Sequence, residues 1–397
     1  MSDTAPAAGY FHDFLKFRLL PNAPSHRGPT CTPVGPGDAR YELAIVEFDD
    51  QGSCFDRRSL GDLEQSLRTL DGASPIILVF VHGWKHNATG HDDNLLSIRA
   101  LLADTAAKEA QPGGTGRPVL GVFVSWRGLS RSGNWIWTQS SFWDRQDAAQ
   151  RVALGSTREL LGRLKAFRNG APGDKPHATL VIIGHSFGGL IVYAAIAQSL
   201  IEAAATQGHV VPSFGDLVVL VNPAFAAVSY LPIHEIVTSR EFDPNQLPVC
   251  ISVTALNDMA TKLLYPLGSR PKLLSEAWRG PQEREALINT MGHIPWMRTH
   301  ELTIASPSPM PQAPAASPAG RARDHSTAVD LTSATTPRTL GGVMVTPVPG
   351  RRPNPFWVAS ATKSIINGHN GIFTEPFENF IRALVGAHLQ EAAGRIA

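Results

Sequence analysis

The chain has 397 residues, 43% of them hydrophobic and 17% charged, with 35 basic against 34 acidic side chains and a formal net charge of +1. That size allows one large α/β domain with insertions or two modest domains. The near-neutral balance removes the electrostatic case for nucleic acid as the main partner, or for a polybasic grip on a membrane.

The three cysteines, Cys31, Cys54 and Cys250, are widely spaced and form no CxxC or metal-ligand pattern. Such a set argues against a disulfide framework and fits a reducing compartment. The start, Met1 to Pro6, has neither a basic region nor an apolar core, so no secretory signal is legible. No uninterrupted apolar run reaches the length of a membrane span; the longest candidate, 217–233, is broken by Asn222, Pro223, Ser229 and Pro232. A cytoplasmic protein with no stable membrane span is the expectation, with export lacking a cleaved signal left open.

Residues 1–40 form an N-terminal arm rich in Pro, Gly and Ala around one apolar piece, Tyr10 to Leu20. Residues 41–48 read as a strand, ended by a turn at Asp49-Asp50-Gln51-Gly52. Leu60, Leu63, Leu67 and Leu70 give residues 59–70 a helical face. Continuous apolar runs follow at 76–81, 119–124, 180–183, 217–221 and 249–253, separated by helical periodicity at 92–109, 144–167 and 190–205. Unbroken apolar strands joined by helices predict an α/β protein whose mostly parallel central sheet carries helices on both faces. Ligands of such sheets bind at the carboxyl ends of the strands.

The main part of the domain is expected over 41–304, with a cap over 223–248. Residues 305–355 are rich in Pro, Ser, Ala and Thr, with almost no large apolar side chain before Val343. They read as a disordered insertion, because they cannot bury enough surface to offset chain entropy. Residues 356–397 then complete the domain, with order resuming at Phe356-Trp357-Val358-Ala359 and an amphipathic helix over 376–393.

The most informative stretch is Thr179 to Leu190, where an apolar β-branched run stops at Gly184 and is followed by His185-Ser186-Phe187-Gly188-Gly189. This is a G-x-S-x-G nucleophile elbow, a strand, sharp turn and helix that lift a serine hydroxyl clear of the sheet edge. A serine needs a base oriented by a carboxylate, and donors aimed at the developing oxyanion. For the donors, the strand 76–81 runs into His82-Gly83-Trp84, so the amides of Trp84 and Phe187 are the candidates. A metal pair at His82 and His86 is set aside, because Gly83 and the strand end disfavour a helix there. Asp258, just past the strand 249–253, is the candidate acid; its alternative is a helix N-cap. His369, between two glycines after the last strand, is the candidate base, ahead of His293 and His300.

His82, Trp126, Arg127 and Phe225 complete the candidate pocket, with a structural salt bridge the favoured alternative for Arg127. The aromatics Trp126, Trp135, Trp137, Phe142 and Trp143 serve equally well as cleft walls or as loop packing. No phosphate-cradling or dinucleotide fingerprint occurs at a strand end, so no cofactor is expected, and no metal. The expected partner is a small-molecule ester or a lipid. Oligomeric state is not legible.

These segments resemble the α/β-hydrolase superfamily of serine hydrolases. The resemblance rests on Val79-Phe80-Val81-His82-Gly83-Trp84, on Gly184-His185-Ser186-Phe187-Gly188-Gly189, and on Asp258 and His369 in that order. The added pairing with Ser125-Trp126-Arg127-Gly128 and an Asp144-Arg145-led helix is similar to a poorly characterised bacterial branch of esterase-like proteins. It spans residues 41–300 and 356–397 and implies the α/β-hydrolase fold, a Ser186–Asp258–His369 triad, and ester hydrolysis through an acyl-enzyme. A lipase or phospholipase acting at a lipid surface, anchored by Trp135, Trp137, Phe142 and Trp143, is the first alternative. A non-catalytic binding protein on the same fold is the second. Amidases, thioesterases and acyltransferases share the triad and are not separated by sequence.

Overall fold

The structure, a computed structural model, describes residues 17–35, 40–112, 114–129, 131–133, 135–171, 176–305 and 336–394. In chain order the strands are β1 (Phe17–Leu19), β2 (Cys31–Val34), β3 (Tyr41–Phe48), β4 (Ile76–Val81), β5 (Val119–Trp126), β6 (Arg131–Gly133), β7 (Thr179–His185), β8 (Leu217–Val221), β9 (Cys250–Ala255), β10 (His300–Ile304), β11 (Arg338–Leu340), β12 (Val343–Pro347) and β13 (Phe356–Ala361). The helices are α1 (Arg58–Thr69), α2 (Asp93–Ala110), α3 (Trp135–Leu154), α4 (Ser156–Asn169), α5 (Phe187–Ala205), α6 (Leu231–Ser239), α7 (Tyr265–Ser269), α8 (Pro281–Ile288) and α9 (Glu375–Gly394).

Among the described residues one 11-stranded sheet runs in the order β11-β12-β10-β13-β9-β8-β7-β4-β5-β3-β2. From β10 through β3 every neighbour is parallel, while β2, β12 and β11 pair antiparallel at the two edges. Period-2 alternation sends the two sides of each strand to different cores. Ala44, Val46, Ile77 and Val79 join α1, α3, α4 and α5 on one face; Leu43, Ile45, Leu78 and Phe80 join α2 and α9 on the other. The protein is therefore α/β, with a mostly parallel mixed sheet and helices on both faces. Helix α5 is the one described helix long and apolar enough to cross a membrane, and 67% of that stretch is buried, as in a core helix.

Three boundaries differ from the sequence expectation. The helix expected over 144–167 is two helices, α3 and α4, broken at Gly155 where the Ser156 N–H donates instead to the Gly52 carbonyl at 2.7 Å. A docked loop, invisible to periodicity, sets that break. The insertion expected over 305–355 is shorter on its C-terminal side, because β11 and β12 form a hairpin whose Val343 and Val345 are buried against the sheet. Residues 306–335 lie outside the described residues, as do residues 1–16 of the arm. The cap expected over 223–248 is a short 3-10 turn and α6, with Tyr230, Ile233 and Val237 buried in the core. Asn222-Pro223 marks a turn from β8 toward that helix. The helical excursion beyond the sheet edge is instead residues 256–299, between β9 and β10.

Candidate active site

The chain passes over β5 to reach β4 from β3, then returns to lay β5 between them, and continues to β7 on the other side of β4. That reversal opens a crevice at the carboxyl ends of β4 and β7. The loop His82–Lys85 and the turn at Ser186 both sit there. Ser186 holds φ 57° and ψ −119°, a region that L-residues rarely adopt. The turn is over-determined: Ser186 N–H donates to Val221 O at 2.9 Å, and its carbonyl accepts from Leu190 N at 3.2 Å and Ala224 N at 3.1 Å. Glycine is required at 188, where a Cβ would lie 1.9 Å from the Val81 carbonyl oxygen. At Gly83 a Cβ would lie 2.7 Å from Ser186 Cβ, so the β4 loop crosses directly over the serine.

His369 Nε2 lies 2.7 Å from Ser186 Oγ, and His369 Nδ1 lies 2.8 Å from Asp258 Oδ2. The carboxylate only accepts, so Nδ1 carries the proton and Nε2 is left to accept from the serine hydroxyl. Asp258 is fully buried. Burial pushes its carboxyl upward, but the His369 and Thr261 hydrogen bonds outweigh that and hold it below its ordinary 3.8. Its two oxygens divide the labour: Oδ1 accepts from Ala260 N at 2.9 Å and Thr261 N at 3.2 Å, while Oδ2 accepts from Thr261 Oγ1 at 2.6 Å and from His369. The two roles weighed for Asp258, cap and acid-like partner, are thus filled at once by opposite oxygens.

His369, the candidate base, arrives on a short tether. Strand β13 pairs with β9 in register, Ala361 opposite Ala255, so the loops after both strands leave the same edge side by side. Asn222, at φ 45°, then staples three elements together. Its Nδ2 donates to Gly368 O at 3.0 Å and His369 O at 2.9 Å, and its Oδ1 accepts from Ala255 N at 2.8 Å. His185 Nε2–H donates to His369 O at 2.8 Å, and Asn257 Oδ1 accepts from Gly368 N at 3.0 Å.

Behind Asp258, Thr261 Oγ1 accepts from His293 Nε2 at 2.9 Å. Sequence reasoning missed Thr261, Asn222 and Asn257 and placed His293 only as a rival base. The visible signals were the Asp-x-x-Thr capping spacing at 258–261 and the Asn-Pro at a strand end. His300 stays in β10, its ring tilted 31° against Trp357 at 4.1 Å between ring centroids.

The four candidate pocket side chains do not line an opening. His82 is wholly buried, lies 5.9 Å from and nearly parallel to Trp126, and contacts Gly83 O at 2.9 Å and Trp126 N at 3.2 Å. Trp126 is itself buried and donates Nε1–H to His82 O at 2.9 Å. Phe225 stacks on Tyr193 at 4.7 Å inside the core. Arg127 pairs with Asp50, which Arg145 also grips at 2.6 and 3.0 Å. The helix expected to start at Asp144-Arg145 starts at Trp135 instead, and Arg145, midway along α3, clamps it to the end of β3. The reason is common to all four: each sits at a strand end where burial of a large ring or a charge pair is the stronger demand. His86 pairs with Asp92 at 3.1 Å. Trp84 is half-buried, its ring edge-on to Phe142 at 5.4 Å, and Phe142 packs on Phe187 at 4.7 Å. The side chains of Trp135 and Trp137 lie outside the described residues.

Buried neutral histidines carry a pH signature. Burial pushes His82 down to about 4, and His185 and His300 to about 3, from an ordinary 6.5. Between those values the unfolded chain binds more protons than the folded one. Stability is therefore full above pH 6.5 and falls as pH drops through 6.5 toward 4, by about 1.4 kcal/mol per pH unit for each group. Urea unfolding at about pH 7.5 and about pH 5 should show this, with His300→Gln removing one histidine's share of the slope. An unchanged slope in that variant would contradict the assignment.

Among the described residues no three His, Cys, Asp or Glu side chains converge as a metal site. No protein-family model matches this chain, and no curated protein is significantly similar to it.

Proposed function

We propose that the protein is a serine hydrolase of the α/β-hydrolase type that cleaves carboxylic ester bonds through an acyl-enzyme. The observation that carries this reading is the continuous relay from Asp258 through His369 to Ser186, at 2.8 and 2.7 Å, on a strained strand-to-helix turn. In the proposed reaction Ser186 Oγ attacks the ester carbonyl as its proton passes to His369 Nε2. The imidazolium, stabilised by Asp258, then gives that proton to the leaving alcohol. A water, deprotonated by His369, cleaves the acyl-enzyme and restores the serine.

The tetrahedral oxyanion needs preorganised donors. The Phe187 N–H, at the first residue of α5, has no intrahelical acceptor because it opens the helix. The Trp84 N–H is the proposed second donor, since the loop that carries it crosses Ser186 at Gly83. Strain at Lys85, at φ 71°, is consistent with a loop held for function.

An active-site-directed fluorophosphonate should label the wild-type chain at Ser186, and p-nitrophenyl esters should be hydrolysed with it. Labelling that persists in Ser186→Ala, or a chain inert to both reagents, would refute the proposal.

A further inference from the structure

Among the described residues eleven large hydrophobic side chains are exposed, and seven of them fall between 256 and 278: Leu256, Met259, Leu263, Leu264, Leu267, Leu274 and Trp278. They are concentrated in one segment, where Leu267 and Leu274 line one cleft and Trp278 lies against Arg284 of the same cleft. Its first two members, Leu256 and Met259, flank the triad carboxylate Asp258 in the chain.

Its amphipathicity is inverted. Thr261, Tyr265 and Ser269, spaced four apart, face inward and are at most 1% exposed, while Leu263, Leu264 and Leu267 are 47–50% exposed. A surface helix ordinarily turns its leucines to the core and its hydroxyls to water. The inward face is well anchored: Tyr265 packs against Trp143 at 6.0 Å and Phe142 at 6.4 Å, and its hydroxyl accepts from Gln146 at 2.9 Å. Phe142 in turn touches Phe187, beside the nucleophile. Outside, Leu267, Leu273, Leu274 and Ile288 line a surface cleft of about 630 Å³ together with Arg270 and Arg284.

We propose that residues 256–278 dock on a lipid surface bearing anionic head groups and present a lipid ester to Ser186, the second half resting on the hydrolase reading. Charge and composition select this occupant. Lys262, Arg270 and Arg284 are exposed around the leucines, Arg284 lies 5.8 Å over the Trp278 ring, and Glu276 is the one exposed acid described between 256 and 278. A Leu and Trp face rimmed by Lys and Arg is the pattern of helices that lie in a membrane interface. Protein hot spots differ, being poor in leucine.

The test is co-sedimentation of the full chain with phosphatidylcholine vesicles and with vesicles also containing phosphatidylglycerol. Wild type and Ser186→Ala should both bind the mixed vesicles. Binding should fall at least about tenfold in Leu263→Ser/Leu267→Ser, which keeps hydrolysis of soluble p-nitrophenyl butyrate. Arg270→Gln/Arg284→Gln should weaken binding to the mixed vesicles alone. Absence of vesicle binding, equal binding by the leucine variant, or a dimer that the leucine variant dissociates overturns the docking. Vesicle binding by a chain that hydrolyses no soluble ester leaves the docking standing and removes the lipid-ester half.

Discussion

Ser186→Ala is expected to lower kcat on a soluble p-nitrophenyl ester by about 10⁵- to 10⁶-fold, and His369→Ala by a similar factor. In the proposed mechanism the two side chains act as one unit, because the proton would leave Oγ along its 2.7 Å contact with Nε2. Without the imidazole the serine is an ordinary alcohol; without the hydroxyl the imidazole has nothing to activate. The double variant should therefore be no slower than either single one. Background hydrolysis should survive, since the Phe187 amide stays where the helix start puts it. Single-turnover rates with matched thermal melts would measure this. Effects that multiply in the double variant would mean the two groups do not act together.

Asp258→Asn should cost about 10⁴ in kcat with little change in KM. All four groups facing this carboxylate are donors: two backbone N–H groups, the Thr261 hydroxyl and His369 Nδ1–H. An amide offers one acceptor oxygen. If that oxygen keeps the two backbone donors, its NH₂ faces His369 Nδ1 and favours the tautomer with a proton on Nε2. The serine then meets a donor where it needs an acceptor. The variant should still fold, because the backbone cap at 260–261 survives on the remaining oxygen. Activity within tenfold of wild type in a folded variant would show that Asp258 does not set the tautomer.

The strands at 41–48, 76–81 and 217–221 were legible to the residue, because a short run rich in apolar and aromatic side chains between turn signals has few other solutions. The elbow was legible because Gly184 and Gly188 sit where any Cβ would strike backbone. The pocket was not. Composition at a strand end says that an aromatic or arginine is present, and burial decides whether it faces substrate or core. Trp126 and His82 satisfy each other through a ring stack and a backbone hydrogen bond, a pairing of residues 44 positions apart that no local pattern carries. The exposed leucines at 263, 264 and 267 read as an ordinary helical face until Tyr265 is seen to point inward.

Local order was thus written in the chain: which segments are strands, which residue turns at φ 57°, and which side chains are able to titrate or attack. What only tertiary structure decided is distance. Asp258 and His369 stand 111 positions apart with β10, β11 and β12 between them, and they meet because β13 slots in beside β9 rather than at the sheet edge. Parallel pairing is a non-local choice, set by which faces bury best and not by any run of residues, so the imidazole's place beside Ser186 belongs to the fold.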